Sequence, residues 1–180
     1  MKRFSLTLAA VVALLSLVLV GRAVTFTSRQ VQSPPARSIA LDLDGAVARL
    51  AQAIRFKTVS LASPTDAGVG EFERFREFLG TSFPRVHAQL AREIINQHSL
   101  LFTWNGKDPS LKPMLLMAHM DVVPVDGATE KSWTYPGFSG QVVDGYVWGR
   151  GAMDDKGSVM AILQAVEQLL DENYQPRRTG

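Results

Sequence analysis

The stretch Pro113-Met114-Leu115-Leu116-Met117-Ala118-His119-Met120-Asp121 decides how the rest of the chain is read. Its first six residues form a short, unbroken apolar run, the pattern of a central strand covered on both faces. The run ends at a histidine and an aspartate. Open α/β sheets place ligands at the carboxyl ends of their strands, and residues two apart on a strand point to the same side. His119 and Asp121 are therefore expected to face one crevice. Imidazole is a good zinc ligand. A metal-bound imidazole usually donates its other N–H to a carboxylate that fixes tautomer and ring orientation, and Asp121 is a candidate for that carboxylate. A surface histidine beside a turn aspartate accounts for the spacing equally well.

Working outward, Arg92 to Ile95 and Ser99 to Trp104 read as two strands joined by a short polar turn, and Asn105-Gly106 marks the next turn. Gln141-Val142-Val143 and Tyr146-Val147-Trp148 flank Asp144-Gly145, a strong hairpin signal. A helix is predicted from about Leu43 to Phe56, with Val47, Leu50, Ala51, Ala53 and Ile54 on its apolar face. Ser63 to Gly68 reads as a loop. A second helix, from about Val69 to Leu79, carries Phe72, Phe75 and Phe78, a stripe assigned to packing. The most regular helix runs from Gly157 to about Asn173, with Val159, Leu163, Val166 and Leu170 in one line. Pro176 stops it, and Arg177 to Gly180 reads as the approach to another strand. The predicted class is α/β, a mixed β-sheet flanked by helices, expected to be truncated at the C-terminus.

A second constellation is Gly149-Arg150-Gly151-Ala152-Met153-Asp154-Asp155-Lys156-Gly157. Glycines on both sides of adjacent acids point to an unusual backbone path into a helix N-terminus. An acidic helix cap would explain it. A carboxylate bridging two metals would need the same tight, exposed turn.

The bulk composition narrows the classes. With 180 residues, 46% hydrophobic and 20% charged, the chain is globular rather than disordered. A formal net charge of +2 gives no nucleic-acid surface. The absence of cysteine excludes disulfides, thiol nucleophiles and thiolate metal sites, so any metal must use His, Asp or Glu. Lys2 and Arg3 precede an apolar run from Phe4 to Val20, followed by Gly21-Arg22-Ala23. That is the layout of a secretory signal cleaved after Ala23, or of an uncleaved membrane anchor. The expected organisation is a signal or anchor over 1–23, a linker containing Pro34-Pro35 over 24–40, and a hydrolase domain over 41–180. Either N-terminal reading places the domain outside the cytoplasmic membrane: periplasmic, extracellular or membrane-anchored. Membrane contact is expected through this segment alone.

Taken together, three ordered blocks resemble a known family. They are Leu115 to Pro124, Trp133 with Pro136-Gly137-Phe138-Ser139-Gly140, and Gly149 to Gly157. The family is that of the di-zinc metallopeptidases and aminoacylases. The likeness is strongest to the branch holding the Gly-X carboxypeptidase and the secreted N-fatty-acyl-amino-acid hydrolases. The resemblance implies a zinc-exopeptidase-like catalytic domain that cuts peptide or N-acyl-amino-acid amide bonds. It implies two Zn2+ ions in the complete enzyme, with His119 binding one, Asp154 bridging both, and Asp121 as the catalytic aspartate that orients His119. Asp155 falls at a position the family varies and is not counted as a ligand. The family often has a cis peptide directly after the bridging aspartate. His87 and His98 match no ligand position, and Arg150 is expected to fix its loop. The family's Glu-Glu pair, which supplies the general base, cannot be assigned in this chain. These 180 residues are therefore expected to bind zinc weakly and to be inactive alone. The resemblance admits a homodimer for the complete enzyme. A small-molecule amino-acid deacylase and a non-catalytic remnant or pseudoenzyme stand as alternatives.

Overall fold

The computed structural model describes residues 2–28, 30, 40–60 and 66–180. Most of the expected 24–40 linker, including Pro34-Pro35, and the turn at Ser63-Pro64-Thr65 lie outside these residues. The chain divides into two units, Met1–Ala40 and Leu41–Gly180. In the first, α1 spans Lys2–Val24. Its Leu6–Val24 portion has mean hydropathy 2.3 and no buried residue, and is long and apolar enough to cross a membrane.

The second unit is built on four helices: α2 (Leu43–Arg55), α3 (Asp66–Ser82), α4 (Pro84–Gln89) and α5 (Lys156–Asp171). Asp42 caps α2 by accepting the Gly45 N–H at 3.0 Å. The apolar faces of these helices converge. Ala53, Phe75, Leu79, Phe83, Val86 and Leu163 belong to one buried cluster, and α5 packs against both α2 and α4. Each large side chain taken out of water there stabilises the fold by roughly 1.5–3 kcal/mol. Phe75 and Phe78 lie in this seam beside Phe56, as the stripe predicted. The α3 helix begins at Asp66, inside the stretch read as a loop.

The strands form two antiparallel ribbons. β1 (Ala91–Ile95) pairs with β2 (Ser99–Thr103), and β3 (Gln141–Val143) with β4 (Tyr146–Trp148). A parallel bridge joins Val59 to Val122. Pairing is thus of both kinds, but among the described residues it falls in separate pieces.

The largest departure from expectation is the apolar run at 113–118. It is not a buried strand: Leu115, Leu116 and Met117 are 69%, 55% and 78% exposed. Its backbone is fastened near its ends. The Met114 N–H donates to Thr179 O at 2.9 Å, and the Val122 N–H to Thr58 O at 2.9 Å. Trp104 and Gly180 exchange backbone hydrogen bonds of 2.7 and 3.0 Å, which sets the last residues between β2 and this strip. Beyond that point β2 and the strip line opposite sides of a trench of about 530 Å³, closed by Phe72, Leu79, Val159 and Leu163. A strand is buried by what flanks it, and no ladder covers Leu115 to Ala118 among the described residues.

Candidate functional site

The strip carrying His119 and Asp121 is held from below by the segment that leaves α2. The Thr58 hydroxyl donates to Met120 O at 2.6 Å, and Ser60 N–H donates to Val122 O at 3.1 Å. These bonds bracket His119-Met120-Asp121 at one edge of the unit.

The second constellation approaches from the other side. After β4 the chain runs through Gly149 and Gly151, at φ +147° and +85°. At Gly151 a Cβ would stand 2.6 Å from Val122 Cγ1, so both the backbone conformation and the close approach require glycine there. Arg150 lies over the Trp133 ring, 5.1 Å from its centroid, and its backbone N–H donates to Gly137 O. It therefore braces the loop, as the resemblance implied. The Asp154–Asp155 peptide is cis, the bond at which the family often has one.

The two adjacent acids then part company. Asp154 Oδ1 lies 3.0 Å from His119 Nε2. Asp155 occupies the N-cap position of α5 but makes no capping bond. Its Oδ2 instead accepts the His119 backbone N–H at 3.2 Å. Asp155 thus stands at the cap position with its carboxylate turned toward the His119 strip, while Asp154 lies outside the cap. On the far side of the ring, His119 Nδ1 lies 3.0 Å from Asp121 O and 3.2 Å from Asp121 Oδ1. The ring is therefore gripped at both nitrogens by groups that only accept hydrogen bonds. Partial desolvation lowers the His119 pKa, but the hydrogen bonds and charges of Asp154 and Asp121 outweigh it, and the net shift is upward. For Asp155, hydrogen bonds from Ser158 and from the His119 amide hold the carboxyl below its usual range against a smaller desolvation effect. The site faces solvent, with 91% of the Asp154 side chain exposed.

The donor chemistry fits a zinc ion in part. With zinc bonds of about 2.0–2.1 Å, two neighbouring ligand atoms of a tetrahedral site stand about 3.3 Å apart. His119 Nε2 and Asp154 Oδ1 need only a small adjustment to share one ion. An Nδ1–H donated to Asp121 would leave Nε2 free to ligate. Among the described residues no group of three or more His, Asp or Glu forms a metal cage, and His119 Nε2 and Asp154 Oδ1 are the donors that converge here.

The other histidines stand elsewhere. His87 Nδ1 meets Phe83 O at 3.0 Å and its ring packs edge-on against Phe102. His98 packs at a tilt against Phe72, with ring centroids 5.1 Å apart. Sequence reasoning set Asp155 aside as a ligand without assigning it another role, and gave no role to Thr58 or Lys156. The last is wholly buried in the first turn of α5. Burial pushes its ammonium down to about 8, with Glu71 opposing the shift. A lysine at a helix N-terminus, where the macrodipole disfavours it, was the available signal.

Comparison with known proteins adds a family. Residues 115–179, which include both halves of the site, match the model of peptidase family M20/M25/M40. Those 65 residues are what this chain shares with that family. It is 50% identical over 133 residues to the probable carboxypeptidase S-like 2 of Dictyostelium discoideum, covering 73% of this chain and 25% of that protein. It is 46% identical over 129 residues to the mouse (Mus musculus) N-fatty-acyl-amino acid synthase/hydrolase PM20D1, covering 71% and 25%. Human carnosine dipeptidase 1 shares the fold with a TM-score of 0.57 at 22% identity, over 76% of this chain and 30% of that one. The α/β, zinc-exopeptidase-like class expected from the resemblance to di-zinc metallopeptidases is borne out. The chain spans about a quarter of the length of the curated M20 relatives it matches.

Proposed function

We propose that this chain carries one half of the metal site of an exported hydrolase that cuts peptide or N-acyl-amino-acid amide bonds. The observation that carries the proposal is the approach of Asp154 to His119 Nε2, while Asp121 takes the other ring nitrogen. In this reading His119 and Asp154 hold zinc, and Asp121 orients the imidazole and keeps Nε2 free to ligate. A zinc ion held there supplies a Lewis acid for the amide carbonyl and for water. The match of residues 115–179 to the M20/M25/M40 model and likeness to a carboxypeptidase S-like protein and to an N-fatty-acyl-amino acid synthase/hydrolase support the amide as the bond attacked. Export, and anchoring if α1 is retained, rest on the apolar Leu6–Val24 helix. Residues 1–23 act as signal or anchor, 24–40 as linker and 41–180 as part of the hydrolase domain.

The test pairs zinc titration of the chain with zinc-dependent cleavage of dipeptides and N-acyl amino acids by the full-length gene product. His119→Ala and Asp154→Asn should each weaken zinc binding at least about tenfold and abolish cleavage, with the far-ultraviolet dichroism unchanged. Zinc affinity and turnover indifferent to both substitutions would refute the assignment.

A further inference from the structure

Two polar side chains, Thr58 and Lys156, stand out as fully buried in the described chain, and neither belongs to the site proposed above. Both end at the same place. Lys156 Nζ donates to Ala53 O at 3.0 Å and to Phe56 O at 2.5 Å. These are carbonyls of the last turn and C-cap of α2, where the negative end of the helix dipole attracts a cation; Ala53 O also accepts the Phe56 N–H. Two residues on, Thr58 holds the strip through its hydroxyl on Met120 O and its carbonyl on the Val122 N–H. The segment Ala53–Thr58 thus grips the His119 strip from one side and the Asp154 loop from the other.

We propose that Ala53–Thr58 is a common anchor, with Thr58 and Lys156 as positioning residues that set His119 against Asp154. The inference rests on the reading of those two residues as metal ligands. Burying an ammonium is costly without compensation. The position of Lys156 does nothing for its own helix, whose N-terminus repels it. Its compensation comes instead from carbonyls about a hundred residues earlier in the chain. Met and Val would pack as well at these two positions. What they would lack is the directional bond, and with it one fixed element in the relation between two loops that also meet at His119 Nε2 with Asp154, at the His119 amide with Asp155, and where Gly151 approaches Val122.

The experiment uses the full chain in a detergent that covers α1. It compares Thr58→Val, Thr58→Ser and Lys156→Met with Leu170→Ala, a buried change in the last turn of α5. Amide exchange is read at His119 and Val122 without metal, and zinc affinity is read separately. Thr58→Val should speed exchange at both amides about tenfold and weaken zinc about tenfold. Thr58→Ser should restore both. Lys156→Met should loosen the His119 amide, although it lies on the other loop. Leu170→Ala should lower the melting temperature and leave exchange and affinity unchanged. Equal behaviour of the Val and Ser variants, or a shift with Leu170→Ala matching that with Thr58→Val, would overturn the anchor. A wild-type chain that binds no zinc would count against the metal reading, while the exchange data would still decide the anchor.

Discussion

Phe75 and Leu79 of α3 are 0% and 1% exposed, whereas Leu115 and Met117 are 69% and 78% exposed. Both stretches carry large apolar residues, interleaved with charges in α3 and unbroken in the second. The α3 stripe meets α2 and α4 and shares a buried cluster with residues of α5. The strip at 114–121 borders an open trench and is fastened by single bonds at Met114 and in the Met120–Val122 region. One region is stabilised by packing, the other by a handful of directed hydrogen bonds. The candidate site lies on the second kind. His119 therefore owes its placement to polar anchors more than to a core.

The sharpest way to break this contrast is to cut into the packed side. Phe75→Ala should cost about 3–5 kcal/mol, the usual price of deleting a fully buried aromatic ring. Urea denaturation followed by helical dichroism measures it. A loss below about 1 kcal/mol would mean that α3 is not the stabilising seam described here.

A smaller effect is expected where the packed side borrows a polar device. The α4 N-cap residue, Phe83, offers no side-chain cap. The Glu167 carboxylate of α5 fills that role, accepting the N–H groups of Arg85 and Val86 at 3.0 and 2.9 Å. Glu167→Ala should cost roughly 1–2 kcal/mol, with Glu167→Gln recovering part of it. Thermal melts of the two variants, with amide exchange at Val86, test this. Equal losses for Ala and Gln would show that the side chain's bulk matters rather than its acceptor oxygens.

What the sequence made legible follows the same division. β3 and β4 match their predicted bounds, and α2 and α5 match within a few residues. Their signals are local: Asp144-Gly145 between alternating residues, and apolar positions at helical spacing. The six-residue α4 is too short for periodicity, and Pro84 at its start was the available cue. The strip failed for a different reason. Its pattern reports which residues favour burial, not what will cover them. In the site, His119 and Asp121 were expected to pair on a strand; they do meet, at Nδ1, but on a strip that is not a strand among the described residues. The approach of Asp154, from another loop, came from family resemblance alone, because spacing along the chain carries no information about such a contact. Asp154 turns to His119 Nε2 and Asp155 to the His119 amide, and sequence could not separate them because adjacent acids look alike.

The smallest effect should come from the exposed side. Met117 projects into solvent and offers little area to lose, so Met117→Ser should change stability by no more than about 0.5 kcal/mol. The same substitution interrupts a contiguous exposed apolar run from Met114 to Met117, and such runs promote association. Sedimentation at raised concentration should therefore show less self-association in the variant than in the unsubstituted chain, with both melting together. A melting temperature lowered as far as that of Glu167→Ala would place Met117 in a packed environment, and the division between a packed core and a bonded edge would no longer hold at residue 117.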